Sequence, residues 1–434
     1  MPVYATTEAL DFWKQGHARS LAASRFVTLA ASGKDSTWRT QCCDSIRKGA
    51  ALSAKAESFN SFATALAEQG ASNLFAKLEA RLILNVGAGV IENGGICLDR
   101  TSGIPYIPGS AIKGAARRSA IHQLGLTESA EDKAKLLAEI CLTFGYGDTE
   151  WKPGRKAKQD HLHGGHSYSD FWLAMVPLED AGGESDAARD DMWAQVSEKA
   201  ASLIFVSLGQ RAKFPDKPLA SQLPNLAGAI FFLPAYPTTA AKVETDVLTP
   251  HHTAYYKGDK KVATDDEDPV PIVFPAVAKG TGYQFTLLPR DGNQNPARLE
   301  SATQWLSDAL SLFGLGAKTN AGYGWFSIDT VAQEKAAKER QNAIEEIAKQ
   351  QRLAAMTPEE RDREVLGELD HEEFVRIIKN LENEAASQQK LVCQMLITSK
   401  KEDWKGWRKQ KKGNWPSQIP IIREIAKSHG IDLN

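Results

Sequence analysis

Apolar side chains fall at helical spacing in two stretches, each bordered by glycine. Leu299, Trp305, Leu306, Ala309, Leu310 and Phe313 mark one face of a helix over 298–313. The loop that follows, Gly314-Leu-Gly-Ala-Lys-Thr-Asn-Ala-Gly-Tyr-Gly324, leads into a strand over 324–330 built on Trp325-Phe-Ser-Ile-Asp329. Ile112, Ala116, Ala120 and Leu124 mark a second helix over 110–124, with Ser110 placed as its N-cap. Before it, the apolar run Ala80 to Val86 belongs to a strand over 77–86, and Gly87, Gly89, Gly94 and Gly95 lie between. A coarse reading of the apolar pattern predicts a short helix over 130–141 and strands over 166–176, 203–207, 228–233 and 282–288. The stretches 145–165 and 248–270 read as long loops, which in compact domains are usually functional or disordered.

Two strand–helix–strand units in succession suit an α+β, ferredoxin-like (RRM-like) sheet with insertions, occupying residues 76–330. Residues 1–75 are alanine-rich and helical in period, with Phe12, Trp13, Leu21, Phe26, Phe59, Phe62 and Leu66 as anchors. They read as a packing or docking layer. From 331 the composition shifts. Glu334 to Arg352 reads as a solvated helix or short coiled coil, Pro358 interrupts it, and helical segments follow near 360–380 and 383–398. The 331–434 extension then carries basic residues interleaved with tryptophans between Lys400 and Trp415. Such residues can pair with phosphates and stack on bases. Alternatively Trp404, Trp407 and Trp415 are the core of a small helical module; that reading is favoured for the tryptophans, while the lysines stay open.

The two glycine loops carry the candidate chemistry. A helix N-terminus at Gly109-Ser110 offers unpaired amides and partial positive charge, and Lys113 and Arg117, at i and i+4, share the face just inside it. That suits phosphate. In the second loop Gly314, Gly316, Gly322 and Gly324 permit positive φ and close approach, beside Lys318, Thr319 and Asn320. It is not a nucleotide-binding loop of the Gly-x4-Gly-Lys-Ser/Thr kind, because its glycines follow a helix rather than open one. A plain structural turn remains the other reading of that loop.

Pro105-Tyr-Ile-Pro-Gly-Ser-Ala-Ile-Lys-Gly114 together with Gly314–Gly324 resembles the RAMP superfamily of CRISPR effector proteins. Three further segments narrow the resemblance to the sixth subunit of type III-B Cmr complexes. They are Asp246-Val-Leu-Thr-Pro-His-His-Thr-Ala-Tyr-Tyr256, Asp268-Pro-Val-Pro-Ile-Val-Phe274 and Gly280-Thr-Gly-Tyr-Gln-Phe-Thr-Leu287. The resemblance covers roughly residues 76 to 330. It implies the ferredoxin-like fold and a non-catalytic subunit that binds CRISPR RNA. It further implies a place capping the subunit filament near the guide 3′ end, in antiviral defence. The implied partners are CRISPR RNA, the other Cmr/RAMP subunits and, indirectly, target RNA; no cofactor, metal or membrane is implied. The RNA contacts expected are Gly109, Ser110, Lys113, Arg117, His251, His252, Gly314, Gly316, Lys318, Thr319, Asn320, Gly322 and Gly324, converging on one face of the sheet.

An RNA-cleaving subunit and a pure scaffold are the rivals. Where RNA-cleaving relatives place their key aspartate, this chain carries Asn93, which can be neither general base nor charged metal ligand, although Glu92 lies beside it. Asp99 matches an acidic position that family members carry without evident catalysis. His161-Leu-His163-Gly-Gly-His166 lacks companion ligands for tetrahedral zinc. His251-His252, beside Tyr255 and Tyr256, suits either base stacking and phosphate contact or a structural pair that pins a loop. The acidic run Asp265 to Asp268 reads as a solvated loop. Net charge is −2 with pI near 6.5, so a nucleic-acid binder of this balance must concentrate its cations locally or share the ligand. Five cysteines without zinc-like spacing, and no apolar signal or spanning run, read as a reduced, cytoplasmic protein.

Overall fold

The computed structural model describes residues 37–48, 53–85, 96–151, 169–176, 185–249, 252–264, 271–290, 295–410 and 412–433. The chain divides into two compact units, one ending at Lys335 and one beginning at Ala336.

The first unit is built on an antiparallel sheet. Its strands are β1 (Ser72–Leu78), β4 (Ile230–Phe232), β8 (Gly282–Pro289) and β9 (Phe326–Ile328), in the order β4–β8–β1–β9, with β5 (Tyr236–Pro237) also pairing β8. Leu74, Ala76 and Leu78 alternate inward along β1, and Leu74 and Ala76 stand opposite Phe285 and Tyr283 of β8. Helices Gly109–Leu126 and Pro296–Asp308 pack together against this sheet. Ile112, Ala116, Ala120 and Leu124 of the first share a core with Trp305 and Leu306 of the second and with Phe285 and Leu287. The helical face read from the sequence is therefore the buried face. The helix over 130–141 is also present, extended to Ala130–Phe144 and capped by Ser129, whose hydroxyl accepts from the Asp132 amide.

Several local expectations need correction. The strand expected over 77–86 runs instead over Ser72–Leu78 and bends at Glu79-Ala80, and among the described residues beyond the bend it pairs through a single Leu82–Val277 bridge. Leu82, Ile83 and Leu84 are buried all the same, so their apolarity reports burial and not ladder pairing. Residues 203–207 close a helix, Ser185–Ser207, in which Val196, Ala200, Ala201 and Ile204 are buried at helical spacing while Val206 is exposed. Of the strand expected over 166–176, the described part is one helical turn, Asp170–Leu173, that buries Phe171 and Trp172. The first stretch read as a loop opens on pairing, because β2 (Gly145–Tyr146) pairs β3 (Leu226–Ala227); the second is bordered by β6 (Val243–Leu248) and β7 (Ile272–Val277), which form a two-stranded antiparallel ribbon.

The second unit is helical. Helices Pro358–Glu368, His371–Lys379, Ala386–Ile397, Lys401–Lys409 and Trp415–Ser428 enclose a core of Phe374, Ile378, Leu396, Trp404, Trp407 and Ile422. Trp407 and Trp415 stack at 4.4 Å, so the tryptophans are core, as favoured from the sequence. Helix Thr330–Ala355 leads into this unit.

Candidate nucleic-acid interface

The start of the Gly109–Leu126 helix lies against edge strand β4. Pro108, extended at ψ 142, is the residue before its first turn, and Ser110 makes no capping hydrogen bond, which corrects its expected role. The helix begins one residue earlier, at Gly109, where any Cβ would come within 2.1 Å of the Phe232 carbonyl oxygen. Only glycine lets the helix approach the strand so closely.

That approach shapes a cavity of about 510 Å³ lined by Gly109, Ser110, Lys113 and Arg117 from the helix, Phe231 from β4, and Arg290 from the end of β8. Glu150 is the one carboxylate among its described lining residues. Arg117 is already committed. It pairs with Glu150, reaches Asp170 at 3.1 Å and lies 5.0 Å over the Phe171 ring. Lys113 differs: burial, then the charges of Arg117 and Arg290, hold its ammonium below the usual lysine range, against an opposing pull from Glu150. Arg290 is exposed and stacks 5.1 Å over Phe231, itself an exposed aromatic on the edge strand. Arg290 and Phe231 were not identified from the sequence. A larger cleft of about 1080 Å³ shares Arg117 and adds Arg118 and Lys133, but two carboxylates, Glu128 and Asp170, line it as well, whereas the smaller cavity sets three cations against Glu150.

The second glycine loop lies elsewhere. None of Gly314, Gly316, Lys318, Thr319, Asn320, Gly322 and Gly324 lines that cavity. The loop docks on the chain's own 81–84 segment, where Ala317 N–H donates to Ile83 O (2.9 Å) and Gly324 N–H donates to Arg81 O (2.7 Å). A Cβ on Gly316 would sit 2.5 Å from Ile83 O, and one on Gly324 1.9 Å from Leu315 O. The close approach foreseen for these glycines is thus made to this chain. The turn around Lys318 (φ 59), Asn320 and Gly322 is exposed. Tyr323 anchors it by donating to Asp246 of the ribbon at 2.7 Å, and burial with that bond pushes its phenol up to about 12.

Past that ribbon, His252 precedes a one-turn helix, Thr253–Tyr256, that leaves Tyr255 and Tyr256 exposed and edge-to-face at 5.6 Å. His251, Glu92, Asn93, the glycines at 87–95, the 161–166 histidines and the 265–268 acidic run lie outside the described residues.

Asp99 is described, and its carboxylate is fully engaged. Oδ1 accepts from the amides and hydroxyls of Thr101 and Ser102 at 2.8–3.0 Å, and Oδ2 from Lys55 at 2.6 Å and the Tyr236 hydroxyl at 3.1 Å. Burial pushes its pKa up, but the bonds from Lys55, Ser102 and Thr101 outweigh that and hold it well below the usual carboxylate range. The residue buckles the turn that delivers the Pro105–Gly114 segment. Among the described residues no group of three His, Cys, Asp or Glu is placed to hold a metal ion, and no helix is long and apolar enough to cross a membrane.

A sheet backed by two helices, with glycine-shaped turns at both helix ends, accords with the family assignment. The chain belongs to the RAMP superfamily, whose model matches residues 84–327 and so ends before the second unit.

Within that superfamily the chain is similar to the CRISPR system Cmr subunit Cmr6 of Pyrococcus furiosus. The two are 26% identical over 264 residues, 57% of this chain and 65% of that protein, so the chain spans just under two thirds of that relative's length. The crystal structure of Cmr6 from Pyrococcus furiosus aligns over 59% of this chain and 97% of its own at 23% identity, with a TM-score of 0.28. A chain of the type III-B Cmr-beta complex bound to cognate target RNA aligns over 75% and 81% at 15% identity, with a TM-score of 0.36.

Proposed function

We propose that this chain is a non-catalytic CRISPR-RNA-binding subunit of a cytoplasmic type III-B Cmr interference complex in antiviral defence, capping the subunit filament near the guide 3′ end. Its partners are CRISPR RNA and sister RAMP subunits, with target RNA met indirectly. The superfamily assignment and the likeness to Cmr6 support the setting. The strand order β4–β8–β1–β9, built from two strand–helix–strand halves, supports a ferredoxin-like core. One observation carries the RNA contact: Lys113 and Arg290 bring two cations, with Phe231 beside them, to a helix start. Saturation of Asp99 by six donors supports a structural role for that carboxylate.

The test is a titration of guide-length single-stranded RNA against the parent and the Lys113→Ala/Arg290→Ala variant over a range of salt. Weaker binding is expected, with the slope of log K against log salt flattened by about 1.4, or 0.7 for each phosphate that is no longer neutralised. Identical affinity at every salt concentration would move the RNA elsewhere. Capture of the tagged protein from its host should bring sister subunits and short RNAs sharing a repeat-derived 5′ end; recovery of the protein alone sinks the subunit assignment.

A further inference from the structure

The second unit lies outside the residues matched to the superfamily, and its surface chemistry is its own. Between Lys400 and Lys412 seven basic residues stand against Glu402 and Asp403, a local net charge of +5 in a chain whose total is −2. The Lys401–Lys409 helix fixes how those charges are presented. Trp404 and Trp407 are 3% and 5% exposed and set its inward side. Lys401, Lys405, Arg408 and Lys409 are then left exposed, with Lys412 exposed just beyond the helix.

Residues at i, i+4 and i+7 or i+8 lie one above another on successive turns of one helix face. Residues four apart are separated by a rise of about 6 Å, close to the separation of consecutive phosphates along a nucleic-acid strand. Lys405 shares its charge with Glu402 at 2.7 Å; within the described residues Lys401, Lys409 and Lys412 carry no ion pair. Gly406 flanks the stripe, and a Cβ there would meet nothing within 4 Å. Packing does not demand glycine, and in a helix interior it costs about 1 kcal/mol against alanine. Its presence leaves backbone bare beside the lysines, open to close approach.

We propose that this face binds the sugar–phosphate backbone of a single RNA strand, giving the chain a second RNA-binding surface separate from the Lys113–Arg290 cavity. Because the tryptophans are buried they cannot stack on bases, so recognition is by phosphate and is independent of sequence.

The test uses the full chain and a fluorescein-labelled oligouridine of about 20 nucleotides, followed by anisotropy between about 50 and 400 mM salt. Lys401→Gln/Lys405→Gln/Lys409→Gln should weaken binding and lower the salt slope by about 2, at 0.7 per phosphate contact. The loss should add to that of the cavity variant. Lys401→Arg/Lys405→Arg/Lys409→Arg keeps the charge and should bind as the parent does. A glutamine variant with the parent's affinity and slope overturns the proposal, including the case in which it loses capture of a sister subunit instead, since the stripe would then serve an acidic protein. An arginine variant as weak as the glutamine one also overturns it. The cavity reading stands or falls separately, on Lys113→Ala/Arg290→Ala.

Discussion

Replacing Asp99 tests whether its carboxylate is a structural buckle. The side chain is 12% exposed, and of its six donors the amide and hydroxyl of Ser102, a residue 4% exposed, have least access to replacement water. A hydrogen bond to a charged group is worth about 1.5–3 kcal/mol, and a buried donor left unsatisfied costs about 1–3 kcal/mol. Lys55 and Thr101 are exposed and recover hydration, whereas Ser102 and the hydroxyl of Tyr236, a residue 6% exposed, do not, so Asp99→Ala should destabilise the first unit by about 3 kcal/mol or more. Asp99→Asn keeps an acceptor for the Thr101 and Ser102 amides but turns an NH2 toward Lys55, for a loss of about 1.5 kcal/mol. The pH dependence separates charge from shape. Because the folded pKa is depressed, the ionised carboxylate stabilises above its unfolded pKa of about 3.9 and loses that contribution as pH falls toward the folded value. Between pH 7 and pH 3.5 the gap between parent and Asp99→Asn should shrink by about 0.7 kcal/mol. Urea unfolding followed by circular dichroism at the two pH values measures this. A gap of the same size at both, or an Asp99→Ala variant as stable as the parent, refutes the buckle.

Two further outcomes follow from packing. Gly324→Ala would force alanine to φ near +69 with its Cβ 1.9 Å from Leu315 O, and should lower stability by about 3 kcal/mol or more, read as a drop in Tm. Trp404→Ala removes a core ring of the second unit and should cost it about 3–5 kcal/mol, seen as loss of amide protection confined to residues after 336.

Legibility in the sequence followed the length of each pattern and the reach of each contact. The helices over 109–126 and 296–308 were legible because four or more apolar residues repeat on one face across several turns. Leu203-Ile-Phe-Val206 was misread as a strand because a four-residue apolar run fits either period; its place is decided by Val196 and Ala200 upstream, whose burial continues into Ile204. The β6–β7 ribbon escaped notice because its first strand, Val243-Glu-Thr-Asp-Val-Leu248, is polar at its centre and gains its partner across a long connection. At the site, Lys113 and Arg117 were legible from their position just inside a helix start. Phe231 was not, since nothing local tells which of Phe231 and Phe232 faces out; the register against Leu288 and Leu287 decides it. Arg290 is brought to Lys113 only by β8 pairing with β4. The glycines of 314–324 announced a close approach without naming the approaching partner, which proves to be Ile83 and Arg81.

Lys113 and Arg117 show how one helical face divides its labour. Four residues apart, both were expected to meet phosphate, yet their surroundings differ. Arg117 presents a planar fork, and the structure spends it on two carboxylates and an aromatic face, tying Glu150 and Asp170 of the 145–176 stretch to the helix. Glu150 in turn accepts from the Gly147 amide at 2.8 Å, so the pairing orders the turn that forms one wall of the cavity. Lys113, one turn nearer the helix start, is held below its usual pKa by burial and then by the charges of Arg117 and Arg290. A bound phosphate would raise that pKa, because opposite charge favours the protonated form. Arg117 therefore builds the cavity, and Lys113 and Arg290 are, among its described lining residues, the cations with no carboxylate fork to hold.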